Sequence, residues 1–340
     1  MNTLIKSEGA SLLNLILPKE SVVKVSDAII EAGAKGVFQI SARGSVLSEG
    51  GFLQRMFPPP APEQLLLQAL VPDDNIEAAT NAAIESGSLD KVGSGAVFSM
   101  SCNDAYVSKA FPSRISSDIN NSDSPAQSQN LEAICCICEK GIADDITKAA
   151  LQSGAPGPTV TFGEGGGVRD KIPLLRITKG PEKEFVWCVV EKSDADDIFS
   201  SMARAGKITE PGRGFMYSIP VHNGLINVSS TVSSSAHGAN MEQIISALDD
   251  IKGNKECRTS VDSGKTSSLK TTFLENLVGL YCIVPRDFYG DVYDAILDSG
   301  APGVSTNFGV MIDAEDSEEG QHQNEEWALV YTSVGPSNVD

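Results

Sequence analysis

The sequence predicts an α+β fold built from repeated strand-helix-strand-strand-helix-strand units. Two observations carry this. A short signature, Ser153-Gly154-Ala155-Pro156-Gly157, recurs as Ser299-Gly300-Ala301-Pro302-Gly303, with a looser version at Ala32-Gly33-Ala34-Lys35-Gly36. Each version follows an amphipathic stretch of about a dozen residues and precedes an apolar, β-rich run.

The middle copy shows the plan most fully. Leu131 to Cys138 reads as a strand. Asp144 to Ser153 places Ile146, Ala149, Ala150 and Leu151 on one helical face, and Gly154 stands where a helix end favours positive φ. Thr159 to Phe162 starts a second strand, and Gly163 to Lys183 reads as a glycine- and charge-rich flexible stretch. Glu184 to Val190 is a third strand. Asp194 to Ala205 is a second helix, with Ser193 as its N-cap and Ile198, Phe199 and Met202 on one face. Gly212-Arg213-Gly214 then leads into a last strand, Phe215 to Val221. Right-handed β-α-β crossovers make this order a ferredoxin-like split sheet with both helices on one face.

The first copy repeats the plan. Strands are expected at Leu12 to Leu17, Val37 to Ala42, Leu65 to Val71 and Ala96 to Cys102, and helices at Ser21 to Ala32 and Asn75 to Ser86. A long connector, Gly44 to Gln64, holds Pro58-Pro59-Pro60. The third copy offers Val278 to Val284, a helix at Phe288 to Asp298, and strands at Val304 to Ile312 and Trp327 to Thr332. Its second helix is either supplied from upstream by Met241 to Ile251, with a short strand near Cys257 to Val261 (a circular permutation), or is missing. The expected organisation is therefore residues 1–110 as unit 1, 111–130 as a Ser/Asn/Asp-rich linker, 131–232 as unit 2 and 233–340 as unit 3. Further serine-rich linkers are read at Ser229 to Gly238 and Ser260 to Thr271.

The middle copy resembles the PII-type nitrogen-regulatory family over Leu131 to Val221. The segment Gly154 to Gly167 is similar to that family's entry into its long docking loop, with Thr159-Val160 and Gly165-Gly166-Gly167. Gly206 to Ile219, read as Gly-Lys-Ile-Thr-Glu-Pro-Gly-Arg-Gly-Phe, is similar to its phosphate-binding loop and last strand. The resemblance implies trimeric assembly, an adenine nucleotide (ATP, ADP or AMP) or another small effector held between units, and a transporter or enzyme bound through the long loops. It places the effector at Thr159, Gly165, Gly167, Arg169, Lys207, Gly212, Arg213 and Gly214. Three units in one chain then make a single-chain pseudo-trimer, the alternative being an oligomer of whole chains. Successive glycines can turn backbone N–H groups onto phosphate oxygens, with Arg213 and Lys207 adding charge; the plainer reading of Gly212 and Gly214 is a tight turn. Arg213 and Phe215 stand where the family has aspartate and lysine, and Arg169 replaces a glutamine.

Composition narrows the function classes. The net charge of −19, from 45 acidic against 26 basic residues, opposes nucleic acid and anionic lipid. No apolar run reaches membrane-spanning length and no export signal is read, so a soluble, cytoplasmic protein is expected. Seven cysteines without paired spacing argue against a disulfide framework. Cys135-Cys136-Ile137-Cys138 reads first as a buried strand and second as a metal site. The pairs Asp144-Asp145, Asp196-Asp197 and Asp249-Asp250 fall on exposed helix positions, and three histidines in loops offer no catalytic triad. No enzyme and no metal are expected. The expected role is regulatory, with a structural or assembly subunit on the same scaffold as the alternative. The acidic run Asp313 to Glu326 reads first as a solvated loop and second as a site of partner docking or weak metal binding, and the apolar residues Phe52, Leu53, Met56 and Phe57 of the first connector read equally as a partner surface or as local packing.

Overall fold

The computed structural model describes residues 5–7, 9–48, 62–107, 127–167, 182–210, 212–227, 231–233, 274–313 and 325–338. The first region contains β1 (Ile5–Ser7), β2 (Ala10–Pro18), α1 (Val22–Glu31), β3 (Gly36–Gly44), β4 (Val46–Ser48), β5 (Glu63–Pro72), α2 (Asp73–Gly87), β6 (Gly95–Ser101) and β7 (Ala105–Val107). The second contains β8 (Leu131–Glu139), α3 (Ala143–Gln152), β9 (Thr159–Gly167), β10 (Glu182–Glu191), α4 (Lys192–Ala205), β11 (Gly214–Val221), β12 (Asn223–Asn227) and β13 (Thr231–Ser233). The third contains β14 (Val278–Pro285), α5 (Tyr289–Asp298), β15 (Gly303–Asp313) and β16 (Glu325–Val334). The class is α+β: among the described residues, apart from the short parallel pair β13–β4, every strand pairing is antiparallel.

The recurring glycine signature is a helix stop. Gly33, Gly154 and Gly300 have φ of 105°, 95° and 96°, a region costly for side-chain-bearing residues. At each, the following alanine N–H reaches back to a helix carbonyl: Ala34 to Ile29 at 3.0 Å, Ala155 to Ala150 at 3.0 Å and Ala301 to Ile296 at 3.3 Å. These bonds satisfy the last orphan carbonyls and turn the chain into the next strand.

In the first region the strands lie in the order β6-β2-β5-β3, and in the second β11-β8-β10-β9. Both place the fourth strand beside the first and the third beside the second. The third region has β14-β16-β15 and, among the described residues, no fourth strand. The three β3-type strands then pair cyclically. Ala42 to Gly44 of β3 meet Thr161 to Thr159 of β9, and Gly163 to Gly167 of β9 meet Asn307 to Gly303 of β15. Val310 to Asp313 of β15 meet Gln39 to Gly36 of β3. In each junction the C-terminal half of one strand pairs with the N-terminal half of the next, so the three strands close a ring.

Closure produces one shared core and three outer ones. The inner faces meet through Ile16, Phe38, Leu66, Phe98, Ile137, Phe185, Trp187 and Leu329. On the outer faces α1 and α2 cover the first sheet, α3 and α4 the second, and α5 the third. Burying each large apolar side chain contributes roughly 1.5–3 kcal/mol, so the common core is what holds the regions together.

Several expectations are corrected. β9 does not stop at Phe162 but continues to Gly167, because β15 supplies it with a pairing edge. A Cβ on Gly163 would lie 2.0 Å from the Thr306 carbonyl oxygen, so glycine there serves close strand approach. α4 begins at Lys192, and Ser193 makes no cap; Glu191 precedes the helix without a side-chain cap bond. Within the serine-rich stretch after Ser229, Thr231 to Ser233 form a strand along Val46 to Ser48. At the linker's end, Ser128 bridges to Gly224. The expected elements Met241 to Ile251 and Cys257 to Val261, the linker residues 112–126, the connector residues Phe52 to Phe57, and 314–324 lie outside the described residues.

Candidate functional site

β9 carries three of the eight expected effector residues, at two different junctions. Thr159 is fully buried where β9 crosses β3, and its Oγ1 donates to Gln64 Oε1 at 3.0 Å. Beside it the Ser45 hydroxyl donates to the Pro158 carbonyl. Gly165 and Gly167 sit at the other end of the strand, paired with Ser305 and Gly303 of β15. A Cβ on Gly167 would stand 3.1 Å from the Pro302 carbonyl oxygen. Arg169 lies outside the described residues.

The other four residues form the turn between α4 and β11. Lys207 adopts φ 51° just after the helix, while Ile208 N–H bonds to the Ala203 carbonyl at 2.9 Å. Gly212 takes φ 80°. Gly214 packs so tightly on β8 that an added Cβ would lie 2.1 Å from the Ile137 carbonyl oxygen. Gly95 makes the same approach to Ile16 at 2.2 Å. Both glycines are thus required by strand packing as well as by any ligand. Arg213 is flanked by acids: its Nε donates to Glu210 Oε2 at 3.2 Å and its Nη1 lies 3.5 Å from Glu139 Oε2. Through the register, Gly214 aligns across the sheet with Cys138, Glu184 and Phe162. Three strand spacings therefore separate the Arg213 turn from the glycine run of β9, about 14 Å.

Sequence reasoning did not single out the group that joins these two places. Arg43, near the end of β3, places Nη2 2.7 Å from Asp144 Oδ1 and 3.9 Å from Glu184 Oε1, with its guanidinium 5.9 Å from the Phe162 ring centre. Glu184 is buried, and its Oε2 accepts the N–H groups of Gly141 at 2.7 Å and Ala143 at 3.1 Å, fixing the entry into α3. The signal was an acid opening the apolar run Phe185 to Val190. At this sheet end Arg43 lies against Asp144 and Glu184, Arg213 lies against Glu139 and Glu210, and the Lys183 side chain packs beside Gly165. The carboxylates beside each arginine offset the charge it would offer a polyphosphate.

A second polar feature lies in the shared core. The register sets Asn14 opposite Gln68, Cys135 opposite Trp187 and Tyr281 opposite Tyr331, at the same place in each region. Gln68 Nε2 donates to Asn14 Oδ1 at 3.0 Å. The Tyr217 and Tyr281 hydroxyls are 3.3 Å apart, and the Tyr281 and Tyr331 rings stack at 5.7 Å. Gln68 Oε1, Trp187 Nε1 and the Tyr331 hydroxyl have no hydrogen-bond partner among the described residues. Burial pushes all three phenols well above the ordinary tyrosine range. It does the same to the thiols of Cys135, Cys136 and Cys188, while Cys138, also near Glu184, is pushed up to about 12. These cysteines are free and buried. No cluster of three metal-ligating side chains occurs among the described residues.

No protein-family model matches the chain, and no curated protein matches it. Among solved structures, Arabidopsis thaliana PII bound to citrate aligns over 28% of this chain and 79% of that one, at 17% identity and a TM-score of 0.22. A microcompartments protein from Desulfitobacterium hafniense DCB aligns over 63% of this chain and 96% of that one, at 10% identity and a TM-score of 0.19. At these scores neither likeness carries a functional assignment. Among the described residues no helix is long and apolar enough to cross a membrane.

Proposed function

We propose that this protein is a non-catalytic regulatory scaffold, a single-chain pseudo-trimer of ferredoxin-like, PII-like units that engages a partner protein through its long connectors. The observation that carries this reading is the ring of β3, β9 and β15, each joined to the next in the same sense. The connectors 49–61, 168–181 and 314–324 each leave the end of a ring strand or, after β3, the short β4 that follows it. One ring thus gathers three unlike sequences: one rich in proline and large apolar residues, one basic and one acidic. Three different connectors on one rigid base suit a single asymmetric partner, such as a transporter or an enzyme, better than three identical ones.

The test is to replace each connector with a Gly/Ser linker of equal length and measure capture of partners by the full chain. Loss of one partner with an unchanged melting temperature supports the reading. Capture unaffected by all three replacements rejects it.

A second reading adds a small effector, an adenine nucleotide above all, at Thr159, Gly165, Gly167, Arg169, Lys207, Gly212, Arg213 and Gly214. Its support is the glycine-flanked turn that leaves the Arg213 side chain 38% exposed. Against it stand the carboxylates beside Arg213 and the buried Thr159–Gln64 contact. Calorimetric titration with ATP, ADP and AMP, with and without magnesium, separates the two readings. Binding lost in Arg213→Ala supports the effector; no heat from the folded chain leaves the scaffold alone.

A further inference from the structure

Asn223-Gly224 is the chain's one Asn-Gly pair, and it sits where that pair is uncommon. Asn-Gly favours tight turns, yet here it opens β12, a strand laid along β6 with Asn223 opposite Ser99 and Gly224 opposite Phe98. Packing explains the glycine. A Cβ at Gly224 would stand 2.9 Å from Leu131 Cδ1 and 3.1 Å from both Phe98 Cβ and the Val97 carbonyl oxygen. On the other edge of β12 the end of the linker pairs with it. Gly224 N–H donates to the Ser128 carbonyl at 3.0 Å, and Ser128 N–H donates to the Gly224 carbonyl at 2.8 Å. Asn223 Oδ1 is buried with no hydrogen-bond partner among the described residues.

We propose that Asn223 is a deamidation site gated by the Ser128 bridge. In an Asn-Gly pair no side chain shields the glycine nitrogen, which can attack the asparagine Cγ. A new C–N bond forms, the side-chain amide leaves as ammonia with the proton of that N–H, and a succinimide ring remains. Water then opens one ring C–N bond to give aspartate, or the other to give isoaspartate, whose main chain runs through Cβ. While the bridge holds, the Gly224 N–H is occupied and the extended strand keeps its nitrogen away from Cγ. Once the bridge opens, Asn223 can rotate out of the strand conformation and the ring can close. Isoaspartate adds one carbon to the main chain, so Leu225, Ile226 and Asn227 lose register with Val97, Ala96 and Gly95. Either product also sets a carboxylate where an unpartnered oxygen is buried. β12 then leaves β6. β13, next along the chain, lies on β4 at the root of the first connector, so that root is loosened too.

Peptide mapping by mass spectrometry, on the full chain aged in mildly alkaline buffer, reads the rate. In guanidinium Asn223 should deamidate faster than any other asparagine, and in the native chain at least about 100-fold slower than that. Ser128→Pro removes the N–H of the bridge and should speed the native reaction about tenfold or more. Native deamidation within about tenfold of the unfolded rate overturns the proposal. So does a rate that Ser128→Pro leaves unchanged. If Ser128→Pro fails to fold, hydrogen exchange of the native chain decides: a protected Gly224 amide supports the gate, and one exchanging at the unfolded rate rejects it. In deamidated chains the β12 amides should exchange about tenfold faster or more, and unchanged exchange rejects the release of the strand. Partner capture by the unmodified chain is untouched by any of these results.

Discussion

The second and third regions use the same order of strand, helix, strand and strand yet treat equivalent side chains differently. In the second, Ile146 and Cys136 are sealed between sheet and helices; in the third, Val292 and Cys282 occupy the same places half-open. Their inner faces differ far less. Phe185 and Trp187 of the second and Leu329 and Tyr331 of the third are all buried in the shared core. The lesson is that ring closure alone seals the inner layer, whereas the outer layer is sealed where, among the described residues, two helices cover the sheet. Stability should therefore be uneven around the ring, and the second region should dominate any response that reads buried groups.

The largest expected effect is alkaline. The four buried thiols of the second region have native pKa values raised above 9.0, so stability they contribute is complete below pH 9 and is lost as pH rises toward their native values. Above that point the unfolded chain has given up protons that the folded chain still holds, so folding weakens by about 1.4 kcal/mol per pH unit for each thiol. The three buried phenols add to this above pH 10. Chemical denaturation between pH 7 and 11 should show a flat midpoint that falls steeply beyond 9. Changing Cys135, Cys136 and Cys188 to alanine should flatten that fall while lowering stability at pH 7. A slope that survives the triple change would place the titration elsewhere.

The comparison can next be broken residue by residue. Ile29 of α1 and Ile296 of α5 hold the same place four residues before the helix-stopping glycine, but Ile29 is wholly buried and Ile296 is not. Ile29→Ala should cost about 2–5 kcal/mol, and Ile296→Ala about 1 kcal/mol or less, because a half-open site loses less transfer energy and leaves no closed cavity. Equal losses would mean that α5 is as well covered as α1.

The Gly-Ala helix stops, the amphipathic faces and the order of the main strands were legible because each rests on local chemistry: a φ that glycine tolerates, or a period of 3.6 or 2. The ring was not. Gly163, Gly165 and Gly167 read as a flexible loop entry, because glycine demanded by a strand 140 residues away looks the same in sequence as glycine demanded by a ligand. The short strands β4, β7, β12 and β13 were missed for a related reason, since their pairing partners lie far along the chain. Of the expected effector residues, the sequence placed Gly212 to Gly214 on a turn into β11 as observed, but gave no hint that Arg213 lies against Glu139, whose approach depends on the β8–β11 register.

The ring's three junctions sharpen the contrast further. Gly163 and Gly309 hold the corresponding places in β9 and β15, where a Cβ would lie 2.0 Å and 2.1 Å from the carbonyl oxygens of Thr306 and Gln39. β3 has Ala42 there, so its junction with β9 already accommodates a methyl group. Gly163→Ala and Gly309→Ala should each cost about 1–3 kcal/mol by forcing backbones apart, measurable as a lower melting temperature. Ala42→Gly should change stability by about 1 kcal/mol or less. A tolerated Gly163→Ala would mean that the β9–β15 junction is looser than its geometry.

The smallest effect tests the polar layer of the shared core. Tyr331 keeps its ring stacked on Tyr281 and tilted against Phe185 at 5.8 Å, while its hydroxyl has no partner among the described residues. Removing an oxygen that gains no hydrogen bond while keeping the ring leaves both aromatic contacts and relieves a desolvated dipole. Tyr331→Phe should therefore be neutral or stabilise the chain by up to about 1 kcal/mol. Tyr217→Phe should instead destabilise by a similar amount, because its hydroxyl is shared with Tyr281 and Cys135. Paired melting curves of the two variants give the sign directly. If Tyr331→Phe destabilises as much as Tyr217→Phe, the Tyr331 hydroxyl does have a partner in solution, and the axis of the ring, where Gln68 and Trp187 also present orphan polar atoms, is the place to look for it.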